Sequence, residues 1–401
     1  MDRSREIADA IVTHYQSVKR DLPWRRTRDP YAIWVSEIML QQTRVATVIP
    51  YWERWMAKFP TVATLAAAPL DDVLAVWAGL GYYSRARNLH AGAKVVGDAL
   101  PRTASELRGV PGIGPYTAGA IASIAYGERA PLVDGNVSRV LARVFAIEDD
   151  VKSTKGTKAL WIRAGALMTA LAPAAEPGEL NQGLMELGAT ICTPTSPRCL
   201  VCPLAALCAA KRLGRQDELP VMPARKKQED LPLLARTHVW IQFDDEIVVG
   251  RRPAEGLFGG LWELPDLDAA KRLGVTIDRE PVAFLSQILT HRRLDVTVVR
   301  GRGLARDADP GYEAIRRIRI ADVETLGVAA VTVAILRKYQ DSPWTSIPRP
   351  SLSSPRATRR SSKASAFSAS TSKTTTSPTR PRARRKASTS LSTIKHRPRP
   401  R

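Results

Sequence analysis

Cysteine, histidine and aromatic residues are scarce in this chain, and long apolar runs are absent. Its 401 residues contain four Cys and five His, and only 6% are Phe, Trp or Tyr. No stretch approaches the ~18 uninterrupted apolar residues of a membrane-spanning helix, which excludes a helical membrane protein. Four cysteines confined to one short stretch also exclude the disulfide framework of a small secreted domain. The amino terminus mixes Asp2, Arg3, Arg5 and Glu6 with no apolar core behind them. Neither a secretory signal nor an Arg-rich, acid-poor transit peptide is expected there, and a cytosolic compartment is.

Acidic residues are missing from one end. Residues 345–401 hold fifteen of the 60 Lys and Arg and none of the 39 Asp and Glu, so the rest of the chain carries only +6 of the total +21. That end has 23 Ser or Thr in 57 residues and one aromatic, Phe367. It lacks the apolar area to offset ordering entropy and is expected to be a disordered basic tail from about residue 343. Two readings of it stay open, a salt-sensitive polycation that attracts nucleic acid and a dispensable solvated extension. The body, in contrast, has ordinary composition, 44% hydrophobic and 25% charged over the whole chain. It is too long for one core at ~100–200 residues per domain, so two folded units are expected.

The cysteines carry the sharpest signal, as Cys192-x6-Cys199-x2-Cys202-x5-Cys208 with Pro203 beside them. Such a cluster in a cytosolic chain reads as a metal site. Zinc ribbons pair two short CxxC knuckles across a longer loop, whereas one CxxC flanked by gaps of six and five favours a [4Fe–4S] cluster. The segment Asn181–Gly188 reads as a helix that delivers Cys192, and Arg198, Lys211 and Arg212 make the loop basic.

Upstream, Leu107–Ile121 places Pro111, Gly112 and Gly114 between two helical stretches. Glycines there permit positive φ and let backbone N–H groups at the next helix start approach a phosphate, which is the geometry of a helix-hairpin-helix DNA clamp. Some twenty residues on, Asp134 stands at the entry to another helix, a favoured N-cap position worth about 1 kcal/mol. Glu37 has Ile33, Trp34 and Leu40 at i−4, i−3 and i+3. A carboxyl on such an apolar helix face should have a raised pKa and be available as an acid.

The hairpin, the Asp that follows it and the cysteine loop together resemble the endonuclease III superfamily of base-excision DNA glycosylases. Within it, Trp34–Thr43, Gly79–Leu89 and Leu132–Asn136 closely resemble the MutY-type adenine DNA glycosylases. The similarity runs from about Leu22 to Leu207 and resumes around Gly256–Pro265 and Leu289–Leu294. The resemblance implies that Glu37 protonates the leaving adenine, that Asp134 stabilises the sugar cation by its charge or by transient covalent capture, and that Asn136 orients Glu37 or the attacking water. Bifunctional relatives carry a Lys where this chain has Tyr116. Without an amine to condense with the sugar, a monofunctional enzyme is expected, with Tyr116 hydrogen-bonded to the carboxylates. By the same resemblance Gln42 and Tyr82 enter the base stack, and Trp24, Arg25, Leu40 and Gln182 surround the extruded adenine. Simple core packing competes for Trp24 and Leu40.

Beyond a polar, Pro-containing linker at residues 216–232, β-branched runs at His238–Phe243, Glu246–Gly250 and Asp295–Val299 and a helix near Val328–Tyr339 read as an α+β domain over 233–342. It resembles the Nudix-like domain with which MutY-type proteins read 8-oxoguanine, with Leu289-Thr290-His291 at the position of the family's Phe-Ser-His loop. No cluster of Arg and Glu follows Gly256–Pro265 that could form a magnesium-binding Nudix helix, so reading rather than hydrolysis is expected. The expected architecture is therefore an all-α helix-hairpin-helix glycosylase domain (1–215) with an iron–sulfur loop, an α+β Nudix-like domain and a disordered tail. The expected substrate is duplex DNA holding adenine opposite 8-oxoguanine or guanine, acted on by a monomer in a bacterial cytoplasm, nucleoid-associated and without membrane contact. A thymine or uracil mismatch glycosylase, and a cluster-bearing DNA-binding protein without catalysis, are the competing readings.

Overall fold

The computed structural model describes residues 3–223, 228–289 and 291–339. The expected disordered tail and Thr290 lie outside these residues. The first half is helical: α1 (Ser4–Val18), α2 (Pro30–Leu40), α3 (Val45–Lys58), α4 (Val62–Ala67), α5 (Leu70–Trp77), α6 (Ser84–Val96), α7 (Ala104–Leu107) and α8 (Pro115–Tyr126) are followed by α9 (Gly135–Val144), α10 (Thr154–Ala170), α11 (Pro177–Thr190) and α12 (Ala209–Arg212). Their starts are written locally. Asp29 caps α2 by accepting from the N–H of Tyr31 and Ala32, with Pro30 pre-set for the first turn. Thr61 and Thr103 form capping boxes with Thr64 and Glu106.

The helices pack around two separate cores. One gathers the fully buried Trp34, Trp55 and Trp77 from α2, α3 and α5. The other joins α1 to α9, α10 and α11 through Ile11, Val140, Leu167 and Leu184, and reaches Leu204 in the cysteine loop. Helix α11 approaches α9 so closely that a Cβ on Gly188 would lie 2.7 Å from Cβ of Asn136.

The second half forms a six-stranded sheet in the order β3-β2-β1-β5-β4, with β6 also paired to β2. The strands are β1 (Leu233–Phe243), β2 (Glu246–Arg251), β3 (Trp262–Glu263), β4 (Thr276–Ile288), β5 (Arg293–Arg302) and β6 (Ala314–Arg319). Central β1 runs parallel to β5, from Leu233 opposite Arg293 to Ile241 opposite Gly301. The other pairings are antiparallel. Two helices complete this half, α13 (Leu267–Arg272) and α14 (Ala330–Tyr339), the latter donating from Tyr339 to the carbonyl of Phe284 on β4.

The three β-branched runs lie inside β1, β2 and β5 as expected, and the last helix begins two residues later than Val328, which instead bridges Trp262. The start of the supposed linker is not a spacer. Leu219 is buried, its carbonyl accepts from Arg143 Nε at 2.8 Å, and the Val221 carbonyl accepts from the N–H of Val151. Nor are the halves loosely strung. They fall in one compact unit, and the tryptophan core continues into Leu261, Trp262 and Val328 of the second half.

Candidate active site

The two helical cores meet at a seam, and a cavity of about 630 Å³ opens there between α2, α8, α9 and α11. It is lined by Trp24, Arg25, Glu37, Leu40, Gln42, Tyr116, Asp134, Asn136 and Gln182, nine residues singled out from the sequence. Glu37 is 5% exposed on α2. Burial raises its pKa to about 7, the Tyr116 hydrogen bond and Arg25 pull it down, and the Asp134 charge pushes it up further. Tyr116, one residue into α8, donates a short hydrogen bond to Glu37 Oε2 and lies 3.4 Å from Met185 Sδ. Its own ionisation is suppressed by burial and the two nearby carboxylates, so the phenol is held as a donor.

Asp134 is the N-cap of α9, accepting from the N–H of Val137 at 2.6 Å and from Asn136 Nδ2 at 3.0 Å. Burial raises its pKa, and these hydrogen bonds oppose the rise. Burial raises both carboxyls, against one side-chain donor at Glu37 and two donors at Asp134. Asn136 is itself fixed by Arg139, whose guanidinium bonds Asn136 Oδ1 at 2.9 Å, the Gly188 carbonyl at 2.7 Å and the Cys192 carbonyl at 2.6 Å.

At the cavity's far wall Glu186 receives Arg20 at 2.5 Å and Arg25 at 2.8 Å. These ion pairs hold its carboxyl below the usual range against the opposing effect of burial. Trp24 both packs, edge-on to Trp52 with ring centroids 6.1 Å apart, and lines the cavity.

Gln42 and Tyr82 stand exposed at left-handed φ of 57° and 48°, a conformation that ordinary side chains adopt only under constraint. Arg85 supplies that constraint. Its buried guanidinium donates to the carbonyls of Ile38 (2.9 Å), Met39 (3.0 Å), Gln41 (2.5 Å), Leu80 (3.2 Å) and Gly81 (3.1 Å). Burial lowers its pKa to about 10. One side chain thereby satisfies the end of α2 and ties the Gln42 turn to the Tyr82 turn.

In the hairpin, Gly112 has φ +81°, and a Cβ there would lie 2.7 Å from Asn88 Cβ. Gly114 departs from expectation: its φ is −84°, and its part is to leave open space at the N-cap of α8. His291 is exposed in the turn closed by the Leu289 N–H to Arg292 carbonyl bond between β4 and β5. Arg20, Arg85, Arg139 and Glu186 were not anticipated. Glu186 alone left a trace in the sequence, as an acid one helical turn after Gln182.

The four cysteines line a second cavity with Val140, Val144, Leu187 and Leu204, and none is in a disulfide. Among the described residues no three His, Cys, Asp or Glu side chains form a ready-made single-metal site. Arg143 donates to Cys192 Sγ at 3.3 Å and to the Thr193 carbonyl at 2.7 Å. Burial, together with the other three cysteines, pushes the Cys202 thiol to about 11, and Cys208 is raised as well. Four sulfurs on one cavity, two of them with thiols kept protonated by burial, fit a cationic centre that would bind them as thiolates.

Two family models match the chain: HhH-GPD superfamily base excision DNA repair protein over residues 35–163, and NUDIX domain over 237–338. The human adenine DNA glycosylase is 41% identical over 313 residues, covering 64% of this chain and 57% of the relative. That of Schizosaccharomyces pombe is 35% identical over 332 residues, covering 67% of this chain and 70% of the relative. A solved thermostable thymine-DNA glycosylase aligns with 53% of this chain and 98% of its own, at 30% identity and a TM-score of 0.47. The chain spans between 46% and 59% of the length of its human, rat and mouse relatives. With helical and Nudix-like halves both matched, and 70% of the fission-yeast relative covered, the chain belongs to the adenine DNA glycosylase family of the HhH-GPD superfamily.

Proposed function

We propose that the chain is a monofunctional adenine DNA glycosylase that removes adenine mispaired with 8-oxoguanine, or with guanine, from duplex DNA. One observation carries the reading: a buried Glu37 with a pKa of about 7 shares a cavity with the N-capped, donor-held Asp134. The protonated Glu37 donates to the leaving base, which departs as a neutral purine. Asp134, with two donors opposing the rise that burial imposes, acts as the carboxylate that faces the positive charge developing on the sugar. Asn136, braced by Arg139, holds the second carboxyl in place. Tyr116 steadies the Glu37 carboxyl and offers no amine for a Schiff base, so the product is an abasic site in an uncut strand.

The second half supports damage reading without hydrolysis. Helix α13 follows Gly256–Pro265 with Asp268 as its one acidic residue, 76% exposed, which is unlike a metal-binding helix. The turn holding Leu289 and His291 is the proposed contact to 8-oxoguanine. Cys192, Cys199, Cys202 and Cys208 would hold a [4Fe–4S] cluster. When bound, such a cluster would tie the basic loop to the chain leaving α11 at Cys192, and no step of base release passes through it. The test is base release from duplexes differing only in one pair, A:8-oxoguanine, A:G, A:C or T:G, scored with and without alkali. Breaks that need alkali, fastest for A:8-oxoguanine, are expected. Release of thymine, or breaks without alkali, would overturn the assignment.

A further inference from the structure

A third cavity, of about 260 Å³, adjoins the first and shares Arg20, Arg25, Ile124 and Gln182 with it. On its other side stand Tyr15, Thr27 and Gly178, and its rim carries the exposed Lys19 and Arg28. The partition between the two cavities is therefore made of side chains. Three of the four are tethered or apolar: Arg20 and Arg25 are bound to Glu186, and Ile124 has nothing to bind. Gln182 differs, because its amide makes no hydrogen bond to another of the described residues, so its rotation breaks no bond within them. Side-chain rotation of this kind takes picoseconds to nanoseconds, far faster than turnover.

The charges around the rear cavity are compensated. Lys19 pairs with Glu179 at 3.8 Å, Arg28 with Glu176 at 3.4 Å, and Asp21 with Arg26. Arg25 also lies over the Tyr15 ring, 5.4 Å from its centroid. An anion would find its cations already engaged, whereas a flat, neutral heteroaromatic ring meets the apolar Ile124, the Arg25 guanidinium and the Gln182 amide.

We infer that this rear cavity is the release path and transient subsite for the excised neutral purine. The inference rests on the glycosylase reading. After hydrolysis the abasic strand still fills the front mouth, where Gln42 and Thr43 stand, and the freed base has lost its tether. A second opening lets the base leave while the protein keeps hold of the abasic DNA. Gln182 follows the base edge from one cavity into the other, so its amide hands the purine on as it turns.

The test uses the full chain in single turnover on a duplex carrying radiolabelled adenine opposite 8-oxoguanine. Alkali-labile breaks count cleavage, and rapid filtration that retains protein–DNA complexes counts free base. With the unaltered chain the two curves should coincide. Lys19→Trp and Arg28→Trp cover the rear rim from exposed positions outside the catalytic set. Both should cleave at the unaltered rate, which also reports folding, while free base lags by about tenfold or more, as expected when product release becomes limiting. Lys19→Ala should show no lag. Base that appears together with cleavage in both Trp variants, or an equal lag in Lys19→Ala, would overturn the path. Absence of alkali-labile sites with the unaltered chain would instead overturn the glycosylase reading, and is visible before any variant is compared.

Discussion

Replacing Glu37 with Gln should make the protein more stable, and increasingly so as pH rises. In the unfolded chain this carboxyl titrates at the ordinary 4.5, and in the fold at about 7. The native state therefore binds the extra proton between these values, and stability falls as pH rises through that window. Working the two pKa values through linkage at about 1.36 kcal/mol per unit gives a cost of roughly 0.8 kcal/mol at pH 5 and about 3 kcal/mol at pH 8. Gln keeps an acceptor for Tyr116 and never ionises, so it escapes the cost. Denaturant melts of both proteins at pH 5 and pH 8 should show the variant's advantage growing by roughly 2.5 kcal/mol between them. On the proposed mechanism the same proton is donated to the base, so single-turnover base release by the unaltered enzyme should decline above pH ~7 while the variant stays inactive. A stability difference that does not change with pH would refute the burial argument, and with it the assignment of Glu37 as the acid.

Two further substitutions separate chemistry from architecture. Asp134→Asn keeps an acceptor for the Val137 N–H, so folding and affinity for abasic-site DNA should persist while turnover falls by about 100-fold or more; retained turnover would remove Asp134 from the mechanism. Arg85→Met leaves the carbonyls of Ile38, Met39 and Gly81 without their donor and should cost about 3 kcal/mol in denaturant melts, with partial recovery in Arg85→Lys; an unchanged melting curve would mean that water replaces the guanidinium.

The chemistry was legible in the sequence wherever a local pattern encodes it. Apolar neighbours at helical spacing announced the burial of Glu37, the helix entry announced the cap at Asp134, and the cysteine spacing announced the shared cavity. What escaped was non-local. A buried Arg85 or Glu186, or a half-buried Arg139, looks like any surface charge until the carbonyls and counter-ions that satisfy it are brought from other helices. Strand β4 offers no continuous β-branched run, because Asp278, Arg279, Glu280 and Pro281 interrupt it near a register shift against β5. The left-handed backbones of Gln42 and Tyr82 escaped for the same reason, because neither residue type favours positive φ and the constraint comes from Arg85.

The position of the cavity explains why so many charged groups sit in one place. A cavity inside a single close-packed core would carry an apolar lining and a cost that scales with its volume. Here the cavity lies where two cores fail to merge, so the groups facing it come from the ends of α9 and the flanks of α2, α8 and α11. Helix ends bring unpaired N–H groups, one of which bonds Asp134 and opposes the rise that burial imposes on it, whereas the flank of α2 brings only side chains, and Glu37 has the Tyr116 hydroxyl as its donor. The difference between the two carboxyls thus follows from where each sits on its helix. Exchanging their roles would require moving a helix terminus as well as changing a residue.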